Sequence, residues 1–85
     1  MNYKIFIEKS AQKDLSKIPL QQQNRIITAI QSLAKKPRPA GSKKLSGRDA
    51  WRIRVGTYRV IYEIRDDRLL ILVVVIGHRK DIYRT

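Results

Sequence analysis

The 85-residue chain is long enough for one domain only, because two separate cores cannot be built from so little apolar surface. It contains 19 Lys and Arg against seven Asp and Glu, and the resulting net charge of +12 predicts a polyanionic partner. The absence of cysteine excludes a disulfide framework and a thiolate metal site, and the single histidine, His78, excludes a site built on a pair of histidines. We therefore expect one domain over residues 1–85, with no metal and no cofactor.

The first part of the chain predicts a strand followed by two helices. Residues 2–8 alternate apolar and polar side chains with the period of two that a strand requires. Ser10 is predicted to cap the first helix, which ends at Pro19. The second helix is predicted over residues 20–36, with an apolar stripe along one side and prolines directly after it. Because the connection is short, the helices form a hairpin whose apolar stripes cover a sheet.

The rest of the chain predicts a loop and three antiparallel strands. Residues 37–48 contain two prolines and two glycines, which is typical of a loop. Strands are predicted over residues 49–55, 58–65 and 69–76, joined by tight turns. The last strand is apolar on both faces, as expected at the centre of a sheet. The fold class is therefore α+β: an N-terminal strand, a helical hairpin and a three-stranded meander, with the helices on one face of the sheet.

Arginines concentrate on the first two strands of the meander. Because successive strand side chains point to opposite faces, Arg52 and Arg54 are predicted on the face away from the helices. Arg59 follows the tight turn and is predicted beside Arg54 on the same face. Neighbouring guanidiniums repel one another, so this cluster favours a multivalent anion such as a phosphodiester backbone. The structural alternative is that one or two of them form ion pairs, for which the candidate carboxylates are Glu63, Asp49 and Asp81.

The end of the chain adds further polar groups. His78 and Arg79 follow the last strand, and Tyr83 lies close to the C-terminus. If that strand is central, it delivers these three side chains beside the arginines, into one groove. A lone histidine or tyrosine is more often structural, so this prediction depends on the convergence of all three.

No segment predicts export or insertion into a membrane. Met1 leads directly into the strand pattern, without the features of a signal peptide. The longest apolar run, residues 69–77, is about half the length of a membrane span. We therefore expect a soluble, cytoplasmic protein with no membrane partner.

Three segments together resemble a known toxin family. They are Leu45-Ser46-Gly47, the sequence WRIRVGTYRVIYEI at residues 51–64 and the sequence VIGHRKDIYR at residues 75–84. They are similar to the RelE branch of the RelE/ParE toxin superfamily, and the predicted strand and helical hairpin extend the resemblance over the whole chain. The resemblance implies a microbial-ribonuclease-like fold and the toxin of a type II toxin–antitoxin pair. Such a toxin cleaves mRNA in the ribosomal A site and is held inactive by a cognate antitoxin, RelB-like or similar.

The resemblance also implies the active-site residues. The family pattern places basic residues on the strand before the Gly-x-Tyr-Arg turn, an arginine within that element, an arginine after the last long strand and a tyrosine near the C-terminus. Well-studied members have lysines at the first two positions, and arginine cannot lose a proton as lysine can. The base is then Tyr83, whose anion guanidiniums favour, or in second place His78, or a ribosomal or water group. The matching positions here are Arg52, Arg54, Arg59, Arg79 and Tyr83.

The implied reaction is attack by an RNA 2′-hydroxyl on the adjacent phosphate, in which the arginines stabilise the added negative charge. Two other functions fit the same sequence. The ParE branch shares the fold but poisons DNA gyrase and cuts no RNA; the Gly-x-Tyr-Arg element and Tyr83 favour RelE. A non-catalytic RNA-binding or ribosome-binding module accounts equally well for the basic face, but does not account for a tyrosine among arginines.

Overall fold

Two helices cover one face of a five-stranded sheet in the computed structural model, which describes residues 2–78. The α+β class and the position of both helices on one face of the sheet are as predicted. In chain order the elements are β1 (Lys4–Ile7), α1 (Lys9–Ser16), α2 (Leu20–Ser32), β2 (Lys43–Lys44), β3 (Trp51–Val55), β4 (Tyr58–Arg65), a 3-10 turn (Asp66–Arg68) and β5 (Leu70–His78).

The strand order in the sheet is β1-β5-β4-β3-β2. The antiparallel meander of β3, β4 and β5 is confirmed. The N-terminal strand β1 pairs in parallel with β5, so β5 has a neighbour on each side, which explains why it is apolar on both faces. The segment 37–48, predicted as a loop, contains the two-residue strand β2 at the outer edge of β3. A strand of two residues is too short to show an alternating pattern in the sequence.

The boundaries of the two helices differ in part from the predicted ones. The first helix is capped by Glu8 and not by Ser10, which lies within its first turn. The backbone N–H of Glu8 donates to the Val73 carbonyl at 3.0 Å, so the strand pairing holds Glu8 in an extended conformation and the helix begins directly after it. The second helix begins at Leu20 as predicted but ends at Ser32, because the chain tightens there into shorter-range hydrogen bonds.

The hydrophobic core lies between the helices and the sheet. Each strand of the meander turns alternate side chains toward the helices. Those at the centre of the core are at most 8% exposed, whereas Trp51, Tyr58 and Ile64 are partly buried at its border. Burial of each large apolar side chain stabilises the fold by roughly 1.5–3 kcal/mol. The main contributors are Ala11, Leu15, Ile26, Ile30, Ile53, Val55, Val60, Tyr62, Ile71 and Val73.

A β-bulge interrupts the pairing of β4 with β5. Ile61 pairs with Val75 but the next residue, Tyr62, pairs with Val73, so Val74 is an extra residue. The bulge reverses the alternation along the end of β5. Val73 and Ile76, three positions apart, therefore both face the core.

One polar cluster ties the segment after α2 to the sheet. The Arg38 guanidinium binds the Asp66 carboxylate at 2.9 Å and lies 5.2 Å from the centre of the Trp51 ring. The Tyr3 hydroxyl donates to the same carboxylate at 2.5 Å. We call these four residues the Asp66 clamp. It joins the start of β1, the start of β3 and the β4–β5 turn to the segment that leads into β2.

The β3–β4 turn requires glycine at its first position. Val55 pairs with Tyr58, leaving a two-residue turn in which Gly56 has φ of +61°. Among the described non-glycine residues only Leu69 has a positive φ, so Thr57 does not, and this combination is that of a type II′ hairpin turn. A two-residue turn of this kind sets the register of the two strands that it joins.

Gly56→Ala is expected to lower the free energy of unfolding by about 1–2 kcal/mol, because an L side chain is disfavoured in the left-handed region. Urea denaturation followed by circular dichroism measures the change. Thr57→Ala in the same turn is the matched control and should stay within about 0.5 kcal/mol of wild type. Equal losses in the two variants would contradict the requirement for glycine.

The Asp66 clamp is expected to make stability sensitive to acid. Hydrogen bonds from Arg38 and then Tyr3 lower the pKa of Asp66 in the folded chain. The contribution of this carboxylate is therefore complete above the pKa of an unfolded aspartate, about 4, and is lost as the pH falls through the lower folded value. Asp66→Asn should melt at a lower temperature than wild type near neutral pH, and the difference should shrink below about pH 4.

Thermal melts of both proteins across this pH range test the expectation. Asp67→Asn removes the neighbouring carboxylate, which lies outside the clamp, and is the control. A difference between wild type and Asp66→Asn that is the same at every pH would show that the charge of Asp66 does not stabilise the clamp.

Candidate nucleic-acid interface

Three of the predicted arginines share the open face of the sheet, the side away from α1 and α2. Arg54 lies directly opposite Arg59 in the β3–β4 pairing, and Arg52 lies opposite Ile61. Residues that face each other across two strands point to the same side of a sheet. Strand pleating and the hairpin register therefore bring the three guanidiniums together, as predicted.

The three arginines line one groove, which we call the arginine groove. It encloses about 290 Å³, and no carboxylate of residues 2–78 belongs to its lining. Arg52 and Arg59 are only 6% and 5% exposed and form its floor, whereas Arg54 is exposed at its rim. The described residues that line it are Lys43, Lys44, Leu45, Ser46, Arg52, Arg54, Arg59 and Ile61.

Two lysines of the groove were missed as site residues by sequence reasoning. Lys43 and Lys44 form β2, and Lys43 pairs with Arg52 across the edge of the sheet. The only signal in the sequence is that they belong to a cation-rich segment. Their position at the groove depends on the pairing of β2 with β3, which no local pattern shows.

Two of the three carboxylates considered as ion-pair partners of these arginines, Glu63 and Asp49, do not line the arginine groove. Glu63 binds Arg65, its neighbour two positions along β4, at 2.6 Å. Asp49 is exposed and does not line the arginine groove. Asp81 lies outside the described residues.

His78 does not join the arginine groove. It pairs with Tyr58, and the two rings meet edge to face with centroids 5.7 Å apart. Tyr58 packs against the core, so the pair lies on the helix side of the sheet. The prediction that His78 lies beside the arginines is therefore wrong. The bulge at Val74 is the reason, because strict alternation from the buried Val73 would have put His78 on the open face.

The other two predicted site residues, Arg79 and Tyr83, lie outside the described residues 2–78. Their assignment to the site stays a prediction. It depends on the resemblance of the C-terminal sequence to the family pattern.

The described part of the groove has a defined chemical capacity. Its lining offers guanidinium and ammonium donors and the Ser46 hydroxyl, and no imidazole or carboxylate. Fixed cationic donors bind phosphate and stabilise negative charge that develops on it. Within residues 2–78 no three His, Cys, Asp or Glu side chains form a group that could hold a metal ion. In the same range, no helix has the length and apolar character needed to cross a membrane.

Comparison with known proteins identifies relatives over nearly the whole chain. The family model described as ParE toxin of type II toxin-antitoxin system, parDE, matches residues 5–83. The chain is 32% identical over 92 residues to toxin RelG of Mycobacterium tuberculosis, covering 99% of each protein. Its sequence therefore aligns from end to end with a toxin of similar length.

Solved structures of toxin–antitoxin complexes contain the same fold. The archaeal RelE–RelB complex of Pyrococcus horikoshii superposes with a TM-score of 0.84 at 28% identity, covering 100% of each chain. The RelB–RelE complex of Methanococcus jannaschii superposes with a TM-score of 0.74 at 30% identity, covering 93% of this chain and 95% of the other. The chain thus belongs to the ParE toxin family of type II toxin–antitoxin systems, within the RelE/ParE superfamily.

Proposed function

We propose that this toxin is a ribosome-dependent endoribonuclease that cleaves mRNA in the A site and so inhibits translation in the cytoplasm. The observation that carries the proposal is the arginine groove, in which three guanidiniums and two ammonium groups of the described residues line one surface. A phosphodiester backbone is the biological polymer that such a groove fits best.

The proposed reaction is a transfer of the phosphate within the RNA chain. The 2′-oxygen attacks the adjacent phosphorus and loses its proton to a base, and the bond from phosphorus to the 5′-oxygen breaks. The 5′-oxygen takes up a proton, so the products are a 2′,3′-cyclic phosphate and a free 5′-hydroxyl. Negative charge builds up on the phosphoryl oxygens as the 2′-oxygen attacks.

The floor of the arginine groove is suited to stabilising that charge. Arg52 and Arg59 are almost fully buried, so their guanidiniums are held in place in a poorly solvated position before substrate binds. A single preorganised donor is typically worth about 3–4 kcal/mol in the transition state. Two such donors contribute more than a typical acid–base pair, which accelerates a reaction by about 10²–10⁴-fold.

The described lining of the arginine groove supplies neither a carboxylate nor an imidazole as an acid–base group. Arginine does not act as a base, and His78 lies on the helix side of the sheet. The resemblance to the family pattern points to Tyr83, and we propose it as the base; guanidiniums around a phenol would favour its anion. A phenol is a weak base at neutral pH, so the reaction depends on positioning, which can supply roughly 7–11 kcal/mol. A ribosome holding a codon in place supplies that positioning.

The proposed protein partner is a cognate antitoxin, because the two solved relatives are RelE–RelB complexes. The open face also offers an apolar strip on β1 and β5, toward the edge of the sheet opposite β2, where Phe6 is 58% exposed and pairs with Leu72. An acidic segment or an amphipathic helix would fit both the strip and the charge of the groove. Opposite charges would also accelerate its association.

The second candidate function is inhibition of DNA gyrase. It is favoured by the family model, which carries the ParE name, whereas the curated and structural relatives carry Rel names. The two functions differ in the cellular response: the proposed function arrests translation, and inhibition of gyrase causes DNA damage.

Removal of one arginine of the proposed catalytic set is expected to abolish toxicity. Arg59→Ala and Arg79→Ala should each lose growth inhibition while still binding the antitoxin, because losing one preorganised donor costs about 10²–10³-fold in rate. Since Arg59 is buried, the exposed Arg54→Ala is a second variant that should fold in any case. Inducible expression with mapping of mRNA 5′ ends on ribosomes measures both effects.

Arg68→Ala is the matched control, since Arg68 lies in the 3-10 turn at the far end of β4. It removes the same charge and should remain toxic. Full toxicity of the groove variants, or DNA damage without mRNA cleavage in wild type, would refute the endoribonuclease proposal.

The variant Tyr83→Phe separates catalysis from simple binding. If Tyr83 is the base, loss of its hydroxyl should remove mRNA cleavage while ribosome binding is retained. A non-catalytic binding module would hardly respond to the lost hydroxyl. Growth inhibition and ribosome co-sedimentation are measured in parallel, and unchanged growth inhibition would remove Tyr83 from the mechanism.

A further inference from the structure

A second groove lies between α2 and the outer end of β3. It encloses about 530 Å³, and we call it the α2–β3 groove. Arg54 lines it as well as the arginine groove, so the two grooves meet at this side chain. Within residues 2–78 its lining is Asn24, Arg25, Thr28, Ala29, Ser32, Arg54, Val55 and Gly56.

The edge of the sheet is open where the grooves meet. β2 pairs with Trp51 and Arg52, so among residues 2–78 no strand lies beside the outer edge of β3 from Ile53 to Val55. A chain lying in the arginine groove can therefore pass around this edge to the helix side without crossing another strand.

Arg25 holds a guanidinium at the same corner. Its Nη1 atom lies 3.7 Å from the position that a Cβ atom on Gly56 would occupy, and it donates to the Gln22 side-chain oxygen at 3.4 Å. The Arg25 guanidinium therefore lies over the β3–β4 turn at Gly56. Gly56 follows Arg54 by two residues in the chain.

The charge of the α2–β3 groove is uncompensated within the described part of the chain. Its lining contains two arginines and no carboxylate. The two ion pairs formed between residues of 2–78 involve other arginines, Arg38 and Arg65. Two cations at one corner without an acidic neighbour repel each other, and a bound anion relieves that repulsion.

The remaining polar groups of the groove complement ribose. The Thr28 and Ser32 hydroxyls donate to backbone carbonyls one turn earlier in α2, at 2.9 and 2.7 Å. Their free lone pairs then act as acceptors. A ribose 2′-hydroxyl is a donor and can use such acceptors, whereas deoxyribose has no group at that position.

We propose that the α2–β3 groove is a second RNA subsite, in which a single strand bound at the arginine groove continues around the β3 edge. Arg54 and Arg25 bind successive phosphates, and the hydroxyls of α2 accept from ribose. This inference rests on the proposed function in taking RNA as the ligand of the arginine groove. It adds the path of the strand and a residue, Arg25, that lies outside the proposed catalytic set.

The test is binding of fluorescein-labelled single-stranded RNA to the isolated full chain, followed by fluorescence anisotropy at several salt concentrations. One probe has about four nucleotides and the other about twelve, which spans the site sizes of small single-strand-binding domains. Arg25→Ala should weaken binding of the long probe roughly five-fold and reduce its salt slope by about 0.7, the value for one phosphate contact to a single strand. Binding of the short probe should not change.

Arg68→Ala is again the matched control and should leave binding of the long probe close to wild type. A DNA probe of the longer length should bind more weakly than RNA, and Arg25→Ala should still weaken it. The proposal is overturned if Arg25→Ala and Arg68→Ala have equal effects, if the short and long probes lose affinity equally, or if a duplex RNA of the same length binds better than the single strand. Melting temperatures of both variants show that the fold is retained.

The readout does not depend on cleavage, and gel electrophoresis after each titration checks that the probe is intact. A chain that binds RNA as expected but never cleaves mRNA on the ribosome would refute the endoribonuclease proposal and leave the subsite standing. Cleavage of mRNA on the ribosome, together with unchanged RNA binding by Arg25→Ala, would refute the second subsite and leave the endoribonuclease proposal standing.

Discussion

The register of the β3–β4 hairpin is the constraint on which the arginine groove depends. Arg54 and Arg59 face each other only because a two-residue turn joins their strands, and that turn needs the positive φ of Gly56. A slip of one residue would move every side chain of a strand to the opposite face and bring a guanidinium into the apolar core. The apolar face of the same strands therefore enforces the register that assembles the groove.

The repulsion between clustered cations opposes folding, and stabilising interactions outside the arginine groove offset it. The helix side of the sheet supplies a continuous apolar core, while the Asp66 clamp joins a different arginine, Arg38, to an acidic partner and an aromatic ring. The carboxylates that form ion pairs within residues 2–78, Glu63 and Asp66, neutralise cations outside the groove. The ion pairs formed between residues of 2–78 thus lie outside the arginine groove, whose described lining is cationic.

One extra residue in β5 decides which polar side chain reaches which face. The bulge at Val74 keeps Val73 and Ile76 in the core and turns His78 toward Tyr58. Arg59 pairs with Gly77, so the β5 residue directly opposite it has no side chain that could cover it at the floor of the arginine groove. In this way a local irregularity in the central strand leaves the groove cationic and keeps the single imidazole out of it. Bulges near functional sites are known to redirect side chains.

The sequence by itself determined the α+β class, the helical hairpin, the meander and the shared face of Arg52, Arg54 and Arg59, because period-two alternation and a two-residue turn are local properties. Only the tertiary structure decided the parallel pairing of β1 with β5, the strand β2 with its lysines, the bulge and the approach of Arg25 to Gly56. Each of these depends on contacts between segments that are distant in the chain, or on one unpaired residue inside a uniformly apolar strand. Neither a contact between distant segments nor a single unpaired residue produces a periodic pattern in the sequence.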